Sequence, residues 1–264
     1  MGYDYLGKLI LVTGASEGLG SHLADAYHGE GADLALVARD AERLNQKVRS
    51  LTAGSGQARI YPMDLLQIQG IPELLDRVTS QFGRPVDVLV HCAAMSCYGE
   101  IERTPFDVIE QVNRLNYLAG VRMVQEVLVS MKQRRSGQIV WIGSASAYLG
   151  RPMSAAYTAS KAAAKCFCEA LRGEVQQDGI DVLLVMPGGL KTDFHESQSN
   201  FSSNGNLRPL RAPIDPGPLS LAIVKAGKLR QEVLVYGRSA QMQERLSRWA
   251  PGVLFRAYQE SMKR

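Results

Sequence analysis

Ser144 precedes Tyr157 by thirteen residues, and Tyr157 precedes Lys161 by four. A four-residue step on a helix puts the tyrosine and the lysine on one face. A phenol with a reference pKa near 10 is a poor base at neutral pH, so it needs a nearby cation to hold its phenolate, and Lys161 is placed to supply one. A serine near the end of a neighbouring strand can then approach the tyrosine from the sheet. Chance would give about 0.03 matches to this spacing in a chain of this composition, which makes the spacing informative.

A second signature lies near the N-terminus, where Thr13-Gly14-Ala15-Ser16-Glu17-Gly18-Leu19-Gly20 follows an apolar run and opens a helical pattern. Glycines at such a turn let backbone amides approach a pyrophosphate at a helix N-terminus. Gly14, Ser16, Glu17, Gly18, Leu19 and Gly20 are the candidate contacts. About twenty residues on, a second apolar run ends in Ala38-Arg39-Asp40, where a dinucleotide site distinguishes a ribose hydroxyl from a ribose phosphate. A guanidinium there suits the 2′-phosphate of NADP. Glu17 opposes this by repelling a phosphate or by pairing with Arg39, and Asp40 adds a further acid. NADP(H) is the preferred cofactor, with NAD(H) as the alternative.

At these residues the chain resembles the short-chain dehydrogenase/reductase family in its compact form. The resemblance runs through about residue 190 and takes in the TGxxxGxG turn, Asp64, Asn116, Ser144, Tyr157, Lys161, and Pro187-Gly188 with Thr192. It implies NAD(P)-linked chemistry on an alcohol or ketone, with the lysine also bonding the nicotinamide ribose and Asn116 supporting a water that links the lysine to solvent. Asn116, Ser144, Tyr157 and Lys161 are thus the implied catalytic set. Further implied cofactor contacts are Asp64, Leu65, Ala93, Ala94, Pro187, Gly188 and Thr192, beside Tyr157 and Lys161 themselves. One segment departs from the family: where an NNAG-like sequence is usual, this chain has His91-Cys92-Ala93-Ala94. That adds a methyl near the cofactor path and removes two polar side chains that tie strands together. His91 is read as a hydrogen-bonded group at a strand end rather than a proton carrier.

These residues need elements to position them. Short apolar or β-branched runs at 8–13, 33–38, 58–62, 86–91, 138–143, 180–186 and 232–236 alternate with helical patterns. Several runs are continuously apolar, as expected of strands covered on both faces. The expected fold is an α/β, doubly wound Rossmann-type parallel sheet with helices on both faces, forming one domain over residues 1–264. Residues 190–219, rich in Ser, Asn, Gly and Pro, read as a mobile substrate flap. Candidate substrate walls are Met95, Cys97, Tyr98, Ala145, Ser146, Tyr148, Met153, Gly189, Leu190 and Phe194, mostly apolar or small, which suits a partly apolar ketone or secondary alcohol.

Residues 238–264 place Leu246, Trp249, Val253, Leu254 and Tyr258 at near-helical intervals around Pro251, alongside Arg245, Arg248, Arg256, Lys263 and Arg264. A basic amphipathic tail of this kind suits an anionic membrane surface, although packing onto its own domain or a neighbouring subunit is the preferred reading. The helices carrying Asn116 and Tyr157 have more apolar residues than one buried face needs: Leu118, Val121, Val124 and Leu128 on the first, Ala162, Ala163, Phe167 and Ala170 on the second. A homodimer or homotetramer is expected.

Composition narrows the classes. Hydrophobic residues make up 45% and charged residues 21% of the chain, as in ordinary globular domains. Thirty cations against 26 anions give a net charge of +4, too balanced to argue for nucleic acid. No apolar run approaches the roughly 20 residues of a membrane span, and no secretory leader is evident, so the expected location is cytoplasmic. Four cysteines lack the spacings of a zinc site, and no metal is expected. A regulatory protein that keeps the nucleotide fold without turnover is the rival reading; it requires a broken catalytic set. A sugar epimerase or dehydratase on an extended scaffold needs a larger C-terminal domain than the residues after 190 allow.

Overall fold

A computed structural model describes residues 2–51, 54–194, 198–203 and 213–262. Its strands are β1 (Leu9–Thr13), β2 (Asp33–Ala38), β3 (Ala58–Pro62), β4 (Val88–His91), β5 (Cys97–Gly99), β6 (Gly137–Ile142), β7 (Ile180–Pro187), β8 (Ser199–Phe201) and β9 (Val233–Tyr236). Seven form one parallel sheet in the order β3-β2-β1-β4-β6-β7-β9. β1, β4 and β6 are buried at every position because helices cover both faces, which explains their unbroken apolar sequences. All seven expected runs lie in this sheet, with boundaries shifted by two residues or fewer.

The helices are α1 (Gly18–Gly29), α2 (Ala41–Ser50), α3 (Ile71–Phe82), α4 (Phe106–Asn113), α5 (Ala119–Arg134), α6 (Ala155–Val175), α7 (Pro216–Lys228), α8 (Arg238–Trp249) and α9 (Pro251–Met262). On one face of the sheet, α3, α5 and α6 bury Leu74, Met123 and Leu171 around Trp141. On the other, α1 and α7 bury Leu23 and Ile223 with Tyr5 and Tyr27. Helix starts follow local chemistry: the Asp40 carboxylate accepts from Arg43 N at 3.0 Å to cap α2, and Asp215 accepts from Gly217 N at 2.9 Å ahead of Pro216 in α7.

Strand order reverses between neighbouring β1 and β4, which opens a crevice at their C-terminal ends, the usual place for a dinucleotide. A π turn at Arg114–Leu118 links α4 to α5 and carries Asn116 inward.

The stretch expected to be a mobile flap is fastened wherever it is described. Leu190 forms a parallel bridge with Ile214, and β8 pairs in parallel with β5 to make a second, two-stranded sheet. Ser203 donates to the Glu100 carboxylate through its main-chain N at 3.0 Å and its hydroxyl at 2.7 Å. Three-residue strands with Ser, Asn and Gly leave no periodic signal, so the sequence did not announce this pairing.

Candidate active site

β1 ends at Thr13, and the chain turns at Gly14 with φ +66°, a conformation that glycine adopts without strain. A Cβ on Gly14 would meet Ala93 Cα at 3.0 Å, and one on Gly20 would lie 2.1 Å from the Gly14 carbonyl oxygen. The turn is therefore a cradle that side chains would fill. Glu17 occupies the N-cap of α1 without capping it, and the first turn holds no acid, so the amide-lined end is open to an anion. Ser16 and Gly18 are half-buried at this turn and Leu19 is buried. Thr192, from the start of the flap, approaches Gly18 to within contact distance of a Cβ there. These features fit a dinucleotide pyrophosphate.

The Thr13 hydroxyl ties the end of β1 to the loop after β4. Its oxygen accepts from Cys92 N and Ala93 N, both at 3.0 Å. Both lone pairs are thus engaged, and the hydroxyl also faces Val90 O at 3.5 Å and His91 Nδ1 at 3.3 Å. Burial first, and the Lys161 charge second, hold the His91 ring far below the usual imidazole range, at about 3. The ring is therefore neutral at physiological pH. Thr13 outside its place in the glycine motif was not singled out in the sequence; a hydroxyl at the last residue of the first strand is the signal that points to it.

Ser144 follows β6, and its Oγ accepts from Ser146 N at 3.2 Å and Ser146 Oγ at 2.8 Å. Tyr157, half-buried, projects from the first turn of α6, with Ser144 near enough to favour its ionised form. Burial pushes its phenol up to about 12, against the opposing effects of Ser144 and the Arg151 charge. Lys161, 3% exposed, donates to Ile142 O at 2.9 Å, with Nζ 5.8 Å from the Tyr157 ring centroid. Burial lowers its pKa to about 8, partly offset by neighbouring Cys92, whose own thiol burial pushes up to about 12. At pH 7 the pair is a neutral phenol beside a mostly protonated amine.

Asn116 is fully buried, and its side chain is committed: Oδ1 accepts from Met95 N at 2.8 Å, and Nδ2 donates to Met95 O and Ser160 Oγ, each at 2.9 Å. Ser160 in turn donates to Tyr157 O at 2.7 Å. The asparagine thus ties the loop after β4 to the helix that carries the reactive pair. Ser160 is a link the sequence reading missed, although it sits directly before Lys161.

At the ribose end, Arg39 is exposed just past β2 and forms no ion pair among the described residues. Glu17 does not pair with it; its carboxylate is bound by Arg43, whose Nε also lies 3.5 Å from Asp40. Arg43 was passed over because it lies one helical turn beyond the strand end. Asp64 turns Oδ1 back to Leu66 N at 3.0 Å, which shapes the loop after β3. Leu65 is 3% exposed and belongs to the core, so only its main chain is left to meet a ligand. Ala93 and Ala94 are half-buried beside Gly14, and Pro187 and Gly188 close the C-terminal end of β7, where Gly188 N donates to Tyr236 O at 3.1 Å.

The expected substrate walls separate into two groups. Phe194 lies beside Tyr157 with ring centroids 6.0 Å apart, and Met153 O accepts from Gly99 N at 2.8 Å, holding β5 against the approach to α6. Met153 has φ +64°, unusual for a residue with a side chain, at the bend that delivers Tyr157. Ser146 is bonded to Ser144, and Gly189 is exposed. Tyr148 instead lines a cleft with Lys165, Glu169, Glu244 and Arg248 between α6 and α8, and Leu190 packs with Ile214 against the core beneath α1 and α7. An apolar groove bounded by Pro152, Ala155, Ala159 and Phe255 runs along the face of α6 opposite Tyr157 and Lys161, so it does not serve them.

The model of the short chain dehydrogenase family matches residues 8–202. Dehydrogenase/reductase SDR family member 7B of Bos taurus is 30% identical over 262 residues, covering 94% of this chain and 79% of that protein. A Drosophila melanogaster dehydrogenase/reductase SDR family protein 7-like is 35% identical over 192 residues, covering 71% of this chain but 59% of its own length. Among solved structures, a short-chain dehydrogenase from Streptomyces avermitilis superposes with a TM-score of 0.82 at 26% identity, covering 97% of each chain. An alcohol dehydrogenase from Thermococcus sibiricus complexed with 5-hydroxy-NADP gives 0.74 at 23% identity, covering 88% of this chain and 98% of the other, a likeness of fold. With the matched region running from β1 into β8 and a serine, tyrosine and lysine gathered at the dinucleotide crevice, the chain belongs to the short-chain dehydrogenase/reductase family of NAD(P)-dependent oxidoreductases.

Proposed function

We propose that this chain is an NADP(H)-dependent ketoreductase acting on a partly apolar ketone. The observation that carries the chemistry is the half-buried Tyr157, with Ser144 beside it and buried Lys161 holding its Nζ 5.8 Å from the ring centroid. The glycine cradle, the open end of α1, Thr192 and the β7 end would hold the cofactor, which when bound supplies the hydride. Ser144 Oγ orients the carbonyl oxygen of the substrate. Tyr157, a phenol at neutral pH, donates its proton to that oxygen as negative charge develops on it. The Lys161 ammonium stabilises the phenolate that remains, and Asn116 holds Met95 and Ser160 so that α6 keeps its place. Phe194 and Met153 give the reacting end an apolar border. The same groups run the reverse reaction when Tyr157 starts ionised.

The NADP preference rests on Arg39, which forms no ion pair among the described residues, while Arg43 neutralises Glu17. Of the apolar residues that argue for self-association, Val124 and Phe167 pack into the chain's own core, while Leu118 remains 46% exposed and Ala170 exposed, which keeps a homo-oligomer through α5 and α6 in the proposal. The deciding experiment is oxidation of NADPH and of NADH against a panel of ketones. Turnover with NADPH favoured by about tenfold in kcat/KM supports the reading, and a preference for NADH overturns it. Absence of turnover on every ketone, with NADPH still bound, returns the regulatory alternative.

A further inference from the structure

Residues 238–264 hold six Lys and Arg against two Glu, so the whole of the chain's net charge of +4 lies in this segment. The segment packs onto the domain in part, through Ala240 and Leu254, both buried. On α8, Arg238, Met242, Arg245 and Trp249 recur at helical spacing along the stripe opposite Ala240, and all four are exposed. Trp249 is 86% exposed, the most open of the large apolar side chains among the described residues. On α9, Val253 and Phe255 flank buried Leu254 and are exposed, and Arg256 points away from it. Glu244 is the only acid described on α8 and is already paired with Arg248 at 3.1 Å, whereas Arg238, Arg245 and Arg256 form no ion pair among the described residues.

From this alternation of arginine with Met and Trp along the outward stripe of α8, with Val253 and Arg256 also exposed on α9, we infer that the α8–α9 pair is a docking surface for an anionic lipid bilayer, with Trp249 and its apolar neighbours entering the headgroup layer and the arginines meeting lipid phosphates. A large aromatic ring with a polar edge is suited to that boundary, and basic residues around it supply the attraction. No helix among the described residues is long and apolar enough to cross a membrane, so the contact is peripheral. Charge argues against the other occupants. A second copy seated on the same surface would oppose two segments of net charge +4, and the chain's own 204–212, with Arg208, Arg211 and no acid, has the same sign.

The test is co-sedimentation of the full chain with phosphatidylcholine vesicles and with vesicles carrying about one third phosphatidylglycerol, at about 0.05 M and about 0.5 M salt. The expected result is a bound fraction about tenfold larger on the anionic vesicles at low salt, reversed by high salt. The Arg245→Glu and Trp249→Ala variants are each expected to lose most of that binding while keeping wild-type circular dichroism and wild-type NADPH binding. Three outcomes overturn the inference: equal binding to both vesicle types, anionic binding that survives both substitutions, or light scattering in which either substitution dissociates an oligomer, which would make a second copy the occupant.

Discussion

The two edges of the main sheet are built from comparable materials and behave differently. At the N-terminal edge, Asp87 accepts from Leu9 N at 2.9 Å, Arg134 Nη1 at 2.7 Å and Arg84 Nη1 at 3.2 Å, while Arg84 Nη2 reaches Asp33 at 2.6 Å and Arg134 Nη2 reaches Val86 O at 3.0 Å. Charges there are matched and hydrogen-bonded on all sides. At the C-terminal edge, half-buried Tyr157 and buried Lys161 form no ion pair among the described residues, and desolvation raises the phenol to about 12 and lowers the amine to about 8. Pairing makes the first edge a clamp on β1, β4 and α5, and its absence leaves the second edge with protons that can move.

The comparison breaks first at the reactive edge. Tyr157→Phe is expected to lower turnover at least about 10²-fold while leaving cofactor affinity nearly intact, because the hydroxyl is the proton donor and the ring remains. Steady-state kinetics with fluorescence titration of NADPH checks this, and retained turnover in a folded variant would remove Tyr157 from the chemistry. Lys161→Ala is expected to damage both quantities, since one amine serves phenolate and ribose; a change in turnover alone would remove the ribose contact.

At the opposite edge, Asp87→Ala removes the acceptor of the Leu9 amide and of one nitrogen on each of Arg84 and Arg134, and should cost about 2–4 kcal/mol of stability. Denaturant unfolding reads that loss, and turnover per folded molecule should be unchanged. If turnover falls together with stability, the two edges are not independent.

Smaller effects sharpen the cofactor end. Arg39→Ala is expected to erase a preference for NADPH of about tenfold, and Glu17→Ser to raise NADPH use modestly, since Arg43 already neutralises Glu17. A large gain from Glu17→Ser would mean that the ion pair with Arg43 does not persist in solution.

The smallest effect is on pH. Lys161 is protonated below its pKa of about 8, so the reductive kcat/KM should decline as pH rises through about 8, when the amine loses the charge that stabilises the phenolate. A profile flat to pH 9 would contradict the burial that lowers that pKa.

The sequence by itself determined the sheet, because strands such as Leu9–Thr13 and Val88–His91 are buried on both faces and can be built only from unbroken apolar residues. It also determined the glycine turn and the Ser144, Tyr157 and Lys161 set, where local spacing on a turn or a helix already states the geometry. Tertiary structure alone decided what depends on residues far apart in the chain. Arg43 rather than Arg39 meets Glu17, Thr13 anchors the loop after β4, Asn116 reaches Met95 and Ser160, and Tyr148 lines a cleft with Glu244 and Arg248. The pairing of β5 with β8 joins segments about one hundred residues apart in chains too short for a period to form. Periodicity records which way a side chain faces along its own element; which partner it finds is set by how the elements pack, and that packing is not written in any single stretch of sequence.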